Sequence, residues 1–333
     1  MLAKRPFLWI LSLGLAVASG QPRPPLGLLP VSWPPDNQYS EAKAELGRLL
    51  FFDKRLSSDG TVSCASCHRP ELAFTDGLDF PKGVGGLRAG DRATPSLINR
   101  AYGRFQFWDG RAGTLEEQAA HPFENPREMG MSKGCVEDEL RRRPGYGAYF
   151  EKAFGSPEIR FERVAQAIAT FERTILSGNS RFDRYLAGDR TQLRENEVRG
   201  IQLFFGKAQC ATCHSGPNFT SEEFTNLGLG VDRAPLDKGR SVITGQQEDW
   251  GAFKVPTLRE VSKTGPWMHD SRMKALENAM NFYRQGGVLN AGRDRRVRKL
   301  EFGDDERADL IAFLKTLEGE GWQHIQAPER FPQ

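Results

Sequence analysis

The chain has 333 residues, 38% hydrophobic and 27% charged, with 46 basic residues against 43 acidic ones and a net charge of +3. That length accommodates two domains of ordinary size. The near balance of charge, with no basic stripe, gives no footing for a nucleic-acid interface.

At the N-terminus, Lys4 and Arg5 precede an apolar run over residues 6–18, and Ala18-Ser19-Gly20 offers small residues for cleavage. This pattern predicts a cleaved signal peptide over residues 1–20 and a mature chain in the periplasm. The run is too short to span a bilayer, so no membrane anchor is expected.

Next come Gly47-Arg48-Leu49-Leu50-Phe51-Phe52 and then Cys64-Ala65-Ser66-Cys67-His68. Both recur later, as Gly200-Ile201-Gln202-Leu203-Phe204-Phe205 and Cys210-Ala211-Thr212-Cys213-His214. In Cys-x-x-Cys-His the two thiols add across the vinyl groups of haem, and the adjacent His reaches the iron as proximal ligand. A zinc site built from two Cys-x-x-Cys pairs is the rival reading. It leaves unexplained why a His directly follows both pairs. The repeated surroundings predict an amphipathic helix before each motif and a duplicated architecture.

Between the copies, residues 76–94 read as a Gly-rich loop. Residues 161–176 read as a helix with Val164, Ile168, Phe171 and Ile175 on one face, and residues 178–195 read as the connection. Residues 304–317 form another predicted helix, around Leu310, Ile311 and Leu314. Strand signals are weak. The expected fold is mainly α: two cytochrome-c-like helical domains, 21–177 and 178–333, each with one covalent c-type haem.

These residues resemble the bacterial dihaem cytochrome c peroxidase and MauG superfamily, through nearly the whole mature chain. The first haem motif is followed by Ala73-Phe74-Thr75-Asp76-Gly77, Thr94-Pro95-Ser96-Leu97 and Phe107-Trp108-Asp109-Gly110-Arg111. Glu117-Gln118-Ala119, Pro122 and Asn125-Pro126-Arg127-Glu128-Met129 come after. In the second half, Val255-Pro256-Thr257-Leu258-Arg259 leads to Thr264-Gly265-Pro266-Trp267-Met268-His269-Asp270 and a helix through Tyr283. The resemblance implies that the first haem reacts with peroxide and the second passes electrons. It implies that Gln118, Pro122 and Glu128 line the distal side of the first haem. Glu128 would move the peroxide proton as acid and base. Trp108 would stand between the haems and shorten the electron's path.

Two departures bear on the branch. No His occurs between His68 and His121, where peroxidases of the family place a second His over the first haem. Tyr283 stands at the position of the family's Met ligand to the second haem, a MauG-like trait. A phenolate there is anionic and lowers the reduction potential compared with a thioether. Met268, Met273 and Met280 keep the Met-ligated alternative open. Relatives also hold a calcium ion between the domains, using an Asn and carbonyls near Thr264 and Pro266; this chain has Ala93 at the Asn position.

Three functions compete: a MauG-like enzyme that uses hydrogen peroxide, through a high-valent haem state, to oxidise residues (typically Trp) on a partner protein; a peroxidase fed by a small cytochrome or cupredoxin; and a non-catalytic electron-transfer dihaem cytochrome. Tyr283 and the missing His favour the first over the second. Glu128 and Gln118 argue against the third. His269 is expected to be structural or to relay electrons. His121 and His324 are expected in surface or core roles. Cys135, unpaired once the haems are attached, is expected to be buried and inert or to cross-link a dimer.

Overall fold

The computed structural model describes residues 20–230 and 236–333. The expected signal peptide, up to residue 19, therefore lies outside the described residues. Eleven helices account for most of the regular structure among them. In chain order they are α1 (Glu41–Phe52), α2 (Cys64–Cys67), α3 (Leu115–Glu124), α4 (Lys133–Arg141), α5 (Gly145–Phe154) and α6 (Phe161–Glu172). Then come α7 (Arg181–Leu186), α8 (Glu195–Phe205), α9 (Ser241–Thr244), α10 (Leu276–Gln285) and α11 (Asp304–Lys315). Among the described residues, strand structure is confined to β1 (Phe224–Thr225) paired antiparallel with β2 (Phe253–Lys254).

The helices begin where short polar side chains replace the missing intrahelical acceptors. Ser40 accepts from the Lys43 N–H, Thr114 from Glu117 and Ser132 from Cys135. α10 ends at Gly286, whose φ of +82° a side chain would resist.

Two helix pairs organise the molecule: α1 packs on α6, and α8 packs on α11. The contacts repeat residue for residue. Gly47 lies so close to α6 that a Cβ there would come within 1.9 Å of the Ala167 carbonyl oxygen and 2.8 Å of Phe171 Cβ. Gly200 stands equally close to α11, 2.2 Å from the Asp309 oxygen and 2.7 Å from Phe313 Cβ. Phe51 meets Phe171 edge-on at 5.1 Å, and Phe204 meets Phe313 edge-on at 5.1 Å. The Gly-x-x-Leu-Phe-Phe repeat is thus a packing device. Glycine admits the partner helix, and the aromatic one turn on locks it.

Both long helices stop slightly earlier than the sequence predicts, for the same reason. The Thr174 hydroxyl and N–H both donate to the Phe171 carbonyl, and Thr316 does the same to Phe313. The last turns tighten into i→i−3 bonding, and the helices end. Residues 178–195 are more ordered than a connection requires: α7 starts at a Ser180–Asp183 capping box and inserts Phe182 into the second core. Beyond α11 the chain returns to the other half, where Trp322 and Ile325 join the first core.

At an open helix position, Gly→Ala stabilises by about 1 kcal/mol. Gly200→Ala should instead destabilise by about 1–3 kcal/mol, the usual cost of overpacking. Gly134→Ala in α4, where a Cβ meets nothing within 4 Å, should stabilise. Denaturant unfolding of the haem-loaded protein checks both signs.

Candidate haem site

Each Cys-x-x-Cys-His motif sits just after one of the paired helices. α2 is a single turn, with Ser63 and Ser66 bonded reciprocally across its start. The chain then turns back so that the proximal imidazole meets a backbone carbonyl. His68 Nδ1 lies 3.0 Å from the Phe74 oxygen, and His214 Nδ1 lies 3.1 Å from the Phe219 oxygen. Both phenylalanines hold left-handed backbone, at φ +60° and +50°, which is strained for a bulky residue. The preceding carbonyls are pinned too: Ser96 Oγ donates to Ala73 O at 2.7 Å, and Thr257 Oγ1 to Asn218 O at 2.6 Å.

A carbonyl can only accept, so each Nδ1 carries the proton and each Nε2 presents its lone pair. That is the tautomer an iron ligand needs. Burial lowers the pKa of His68 and takes His214 down to about 4, keeping both imidazoles neutral. Burial raises Cys67 and Cys210 to about 12, so they remain thiols.

Both motifs open into one cavity of about 1080 Å³, beyond the roughly 300–1,000 Å³ of a usual small-molecule site. Gln118, Pro122 and Glu128 line it, as do Trp108, Tyr283, Thr264 and Pro266. Among the described residues, three buried side-chain atoms lack a hydrogen-bond partner: Gln118 Oε1, Glu172 Oε2 and Thr225 Oγ1. All three belong to residues that line this cavity. Orphaned buried polar atoms are costly, and their concentration here fits a cavity shaped for a large group with polar edges.

Glu128 is half-buried on the stretch after α3, where the Met129 N–H donates to the Pro122 carbonyl at 3.1 Å. Burial pushes its carboxyl above the ordinary value, against the pull of Arg111, Asn125 and Arg127. Inside α3, Pro122 cannot donate to the Gln118 carbonyl, which leaves the helix irregular beside the cavity. Trp108 Nε1 donates to Ala93 O at 2.8 Å, and the Trp108 carbonyl accepts from Lys254 N at 2.8 Å. Its ring meets His269 edge-on at 6.4 Å, and His269 stacks on Phe253 at 3.5 Å. The indole is therefore held from both halves of the chain.

Tyr283 and Met280, three residues apart on α10, both face the cavity, and so does Met268; Met273 does not line it. The Tyr283 phenol is raised by burial and further by Cys210 and Cys213, which puts it within electrostatic reach of the second motif. Cys135, expected to be buried or cross-linked, is an exposed thiol. His121 and His324 lie at the surface.

Sequence reasoning missed the charged groups between the halves. Arg100 donates to Glu222 at 2.8 Å, to Gln106 Oε1 at 3.0 Å and to the Phe105 carbonyl at 2.6 Å. Lys254 Nζ stands 3.6 Å from Glu222. Burial first, then Arg100, lowers Lys254 to about 7. Arg92 joins Asp109 at 2.6 Å and Asp237 at 2.7 Å. It also missed Glu172, although its place four residues after Ile168 on the apolar face of α6 was a signal.

The di-haem cytochrome c peroxidase family matches residues 41–191, and the cytochrome c family matches residues 198–318. The methylamine utilization protein MauG of Methylorubrum extorquens is 41% identical over 291 residues, 87% of this chain and 82% of the relative. The chain belongs to the di-haem cytochrome c peroxidase and MauG family. The cytochrome c551 peroxidase of Nitrosomonas europaea is 39% identical over 279 residues, 83% of this chain and 80% of that one. A solved MauG-like protein associated with microbial copper homeostasis superposes with a TM-score of 0.84 at 35% identity, covering 95% of this chain and 99% of its own. Membership makes the chain a peroxidase-type oxidoreductase of two c-type haem domains. Its motifs fit the group: Cys64, Cys67 and His68 would hold one haem, and Cys210, Cys213 and His214 the other.

Glu222 tests the seam between the halves. Burial pushes its carboxyl up, but Arg100 and Lys254 together hold it below the ordinary value. Glu222→Gln leaves the buried Arg100 guanidinium without its carboxylate and should cost about 3–5 kcal/mol in denaturant unfolding at neutral pH. A carboxyl lowered by folding stabilises fully above its unfolded pKa and loses that contribution as pH falls through the folded one. The variant's stability should therefore depend less on acid pH than the wild type's.

Proposed function

We propose that this protein is a MauG-like periplasmic oxidoreductase that uses hydrogen peroxide to oxidise residues, Trp among them, on a partner protein. The observation that carries the reading is Tyr283, a phenol that faces the cavity within electrostatic reach of Cys210 and Cys213. The haems would supply peroxide binding at the first site and storage of oxidising equivalents at both. The chain's own groups do the rest.

Glu128, with its raised carboxyl, would accept a proton from one peroxide oxygen and return it to the other, while the bound haem would supply the two electrons that let the O–O bond break and water leave. The unpartnered Gln118 Oε1 accepts a hydrogen bond from the peroxide and orients it. Pro122 closes the same wall. Trp108, gripped by Ala93 and Lys254, bridges the two sites for electrons.

Tyr283 would hold the second haem iron after giving up its phenolic proton to the metal, and an anionic ligand there would lower that iron's potential and make ordinary cytochromes c poor donors. Oxidising equivalents are then available to a protein substrate. Calcium forms no part of this account. Ala93 has no side-chain oxygen to offer, and its carbonyl already accepts from Trp108. Met280 on the same wall favours a second reading, a peroxidase fed by a small redox protein.

Spectroscopy separates the two. With Tyr283 bound, the oxidised protein should lack the weak near-infrared band of a Met-ligated ferric haem, and peroxide should react without prior reduction. Tyr283→His should keep both haems and raise the potential of the second. A Met band in the wild type, with reaction only after one-electron reduction, would assign Met280 as ligand and the protein as a peroxidase.

A further inference from the structure

Glu172 has no part in the chemistry above, yet its setting is unusual. It lies on the buried face of α6, 3% exposed, in the wall of the haem cavity. Among the described residues its Oε2 has no hydrogen-bond partner. The Cys64 thiol feels both Glu172 and Glu128, which places Glu172 at the first haem motif and on the same site as Glu128.

The nearby cations do not hold it. Arg173, next on its own helix, is engaged by Glu116 of α3 through two bonds of 2.6 and 2.9 Å. Arg100 is engaged by Glu222. α1 brings Lys43, whose ammonium is bound by Asn37 and the Gln38 carbonyl. α4 brings Glu137, which accepts from the Phe161 N–H at the far end of α6 and pairs with Arg141. A buried carboxylate without a dedicated cation or donor is costly; the neutral acid is the stable form. Burial is the main cause that raises the group to about 8, with Glu116 adding to it against Arg173 and Arg100.

We propose that Glu172 is a second proton-carrying acid of this site, releasing its proton when the first haem is oxidised and regaining it when the haem is reduced. Oxidation of the bound haem would remove one electron, which passes to an external mediator, and would add one positive charge at the first haem site. Loss of the carboxyl proton to solvent leaves a carboxylate that cancels that charge. No other bond forms or breaks. Glu128 shuttles a proton within peroxide, whereas Glu172 exchanges one with solvent each time the haem changes charge. The inference requires the first haem but not the peroxide chemistry proposed above.

The test is a spectroelectrochemical titration of the haem-loaded protein across neutral and mildly alkaline pH, following the first haem alone. The wild-type potential should fall as pH rises, approaching one proton released per electron. Glu172→Gln, equal in size but unable to ionise, should flatten that slope, which a purely structural role would not do. Redox-difference infrared spectra should show a protonated-carboxyl band lost on oxidation in the wild type and absent from Glu172→Gln. A flat wild-type profile, or a Glu172→Gln variant that keeps both slope and band, overturns the proposal. If Glu172→Gln fails to take up two haems, Glu172→Asp decides: a displaced band and slope carry the proposal, and unchanged ones overturn it. Neither readout uses peroxide, so a wild type inert to peroxide would sink the function above and leave this result standing.

Discussion

The hydrogen bond from each proximal imidazole to a backbone carbonyl is the constraint on which the site depends. At 3.0 Å in the first half and 3.1 Å in the second, it fixes the tautomer and leaves on Nε2 the lone pair that would bind iron. The backbone bends to provide it, through Phe74 and Phe219 in left-handed conformation. The surrounding fold keeps that strain in place. Phe219 packs against Phe204 and Phe313, and Phe74 against Phe51 and Trp322. The aromatic clusters made by the glycine-centred helix pairs thus also hold the ligand loops.

The two halves are joined by buried charge as well as by apolar contact. Arg100 and Glu222, 122 residues apart in sequence, form a buried pair at the seam, and Arg92 spans Asp109 and Asp237. Such pairs add little net stability but penalise misplacement heavily, which suits a seam that must keep two redox sites at a fixed separation. Trp108 sits at this seam with its indole N–H bonded to Ala93. Position, rather than flexibility, is what the arrangement conserves.

Much of this was legible in the sequence because the haem motifs and the Gly-x-x-Leu-Phe-Phe segments are local patterns, and they occur twice. The long helices were legible from apolar periodicity, apart from the threonines that end them. The polar groups at the seam were not, because each partner looks like an ordinary surface charge until the other half of the chain arrives. Glu172 was hidden in the same way, between an apolar face and Arg173. α7 was read as linker because a six-residue helix with one deeply inserted aromatic, Phe182, leaves almost no periodic trace. The return of Trp322 to the first core is a long-range contact with no local pattern behind it.

The account rests on two covalent haems sharing one cavity, one on each Cys-x-x-Cys-His motif. The most direct test is the haem content of the purified protein after acid-acetone extraction, by pyridine haemochrome and by iron analysis. The account predicts two retained c-type haems and two iron atoms per chain, falling to one haem when Cys210 and Cys213 are both replaced by Ala. A single haem in the wild type, or zinc in place of iron, would contradict it.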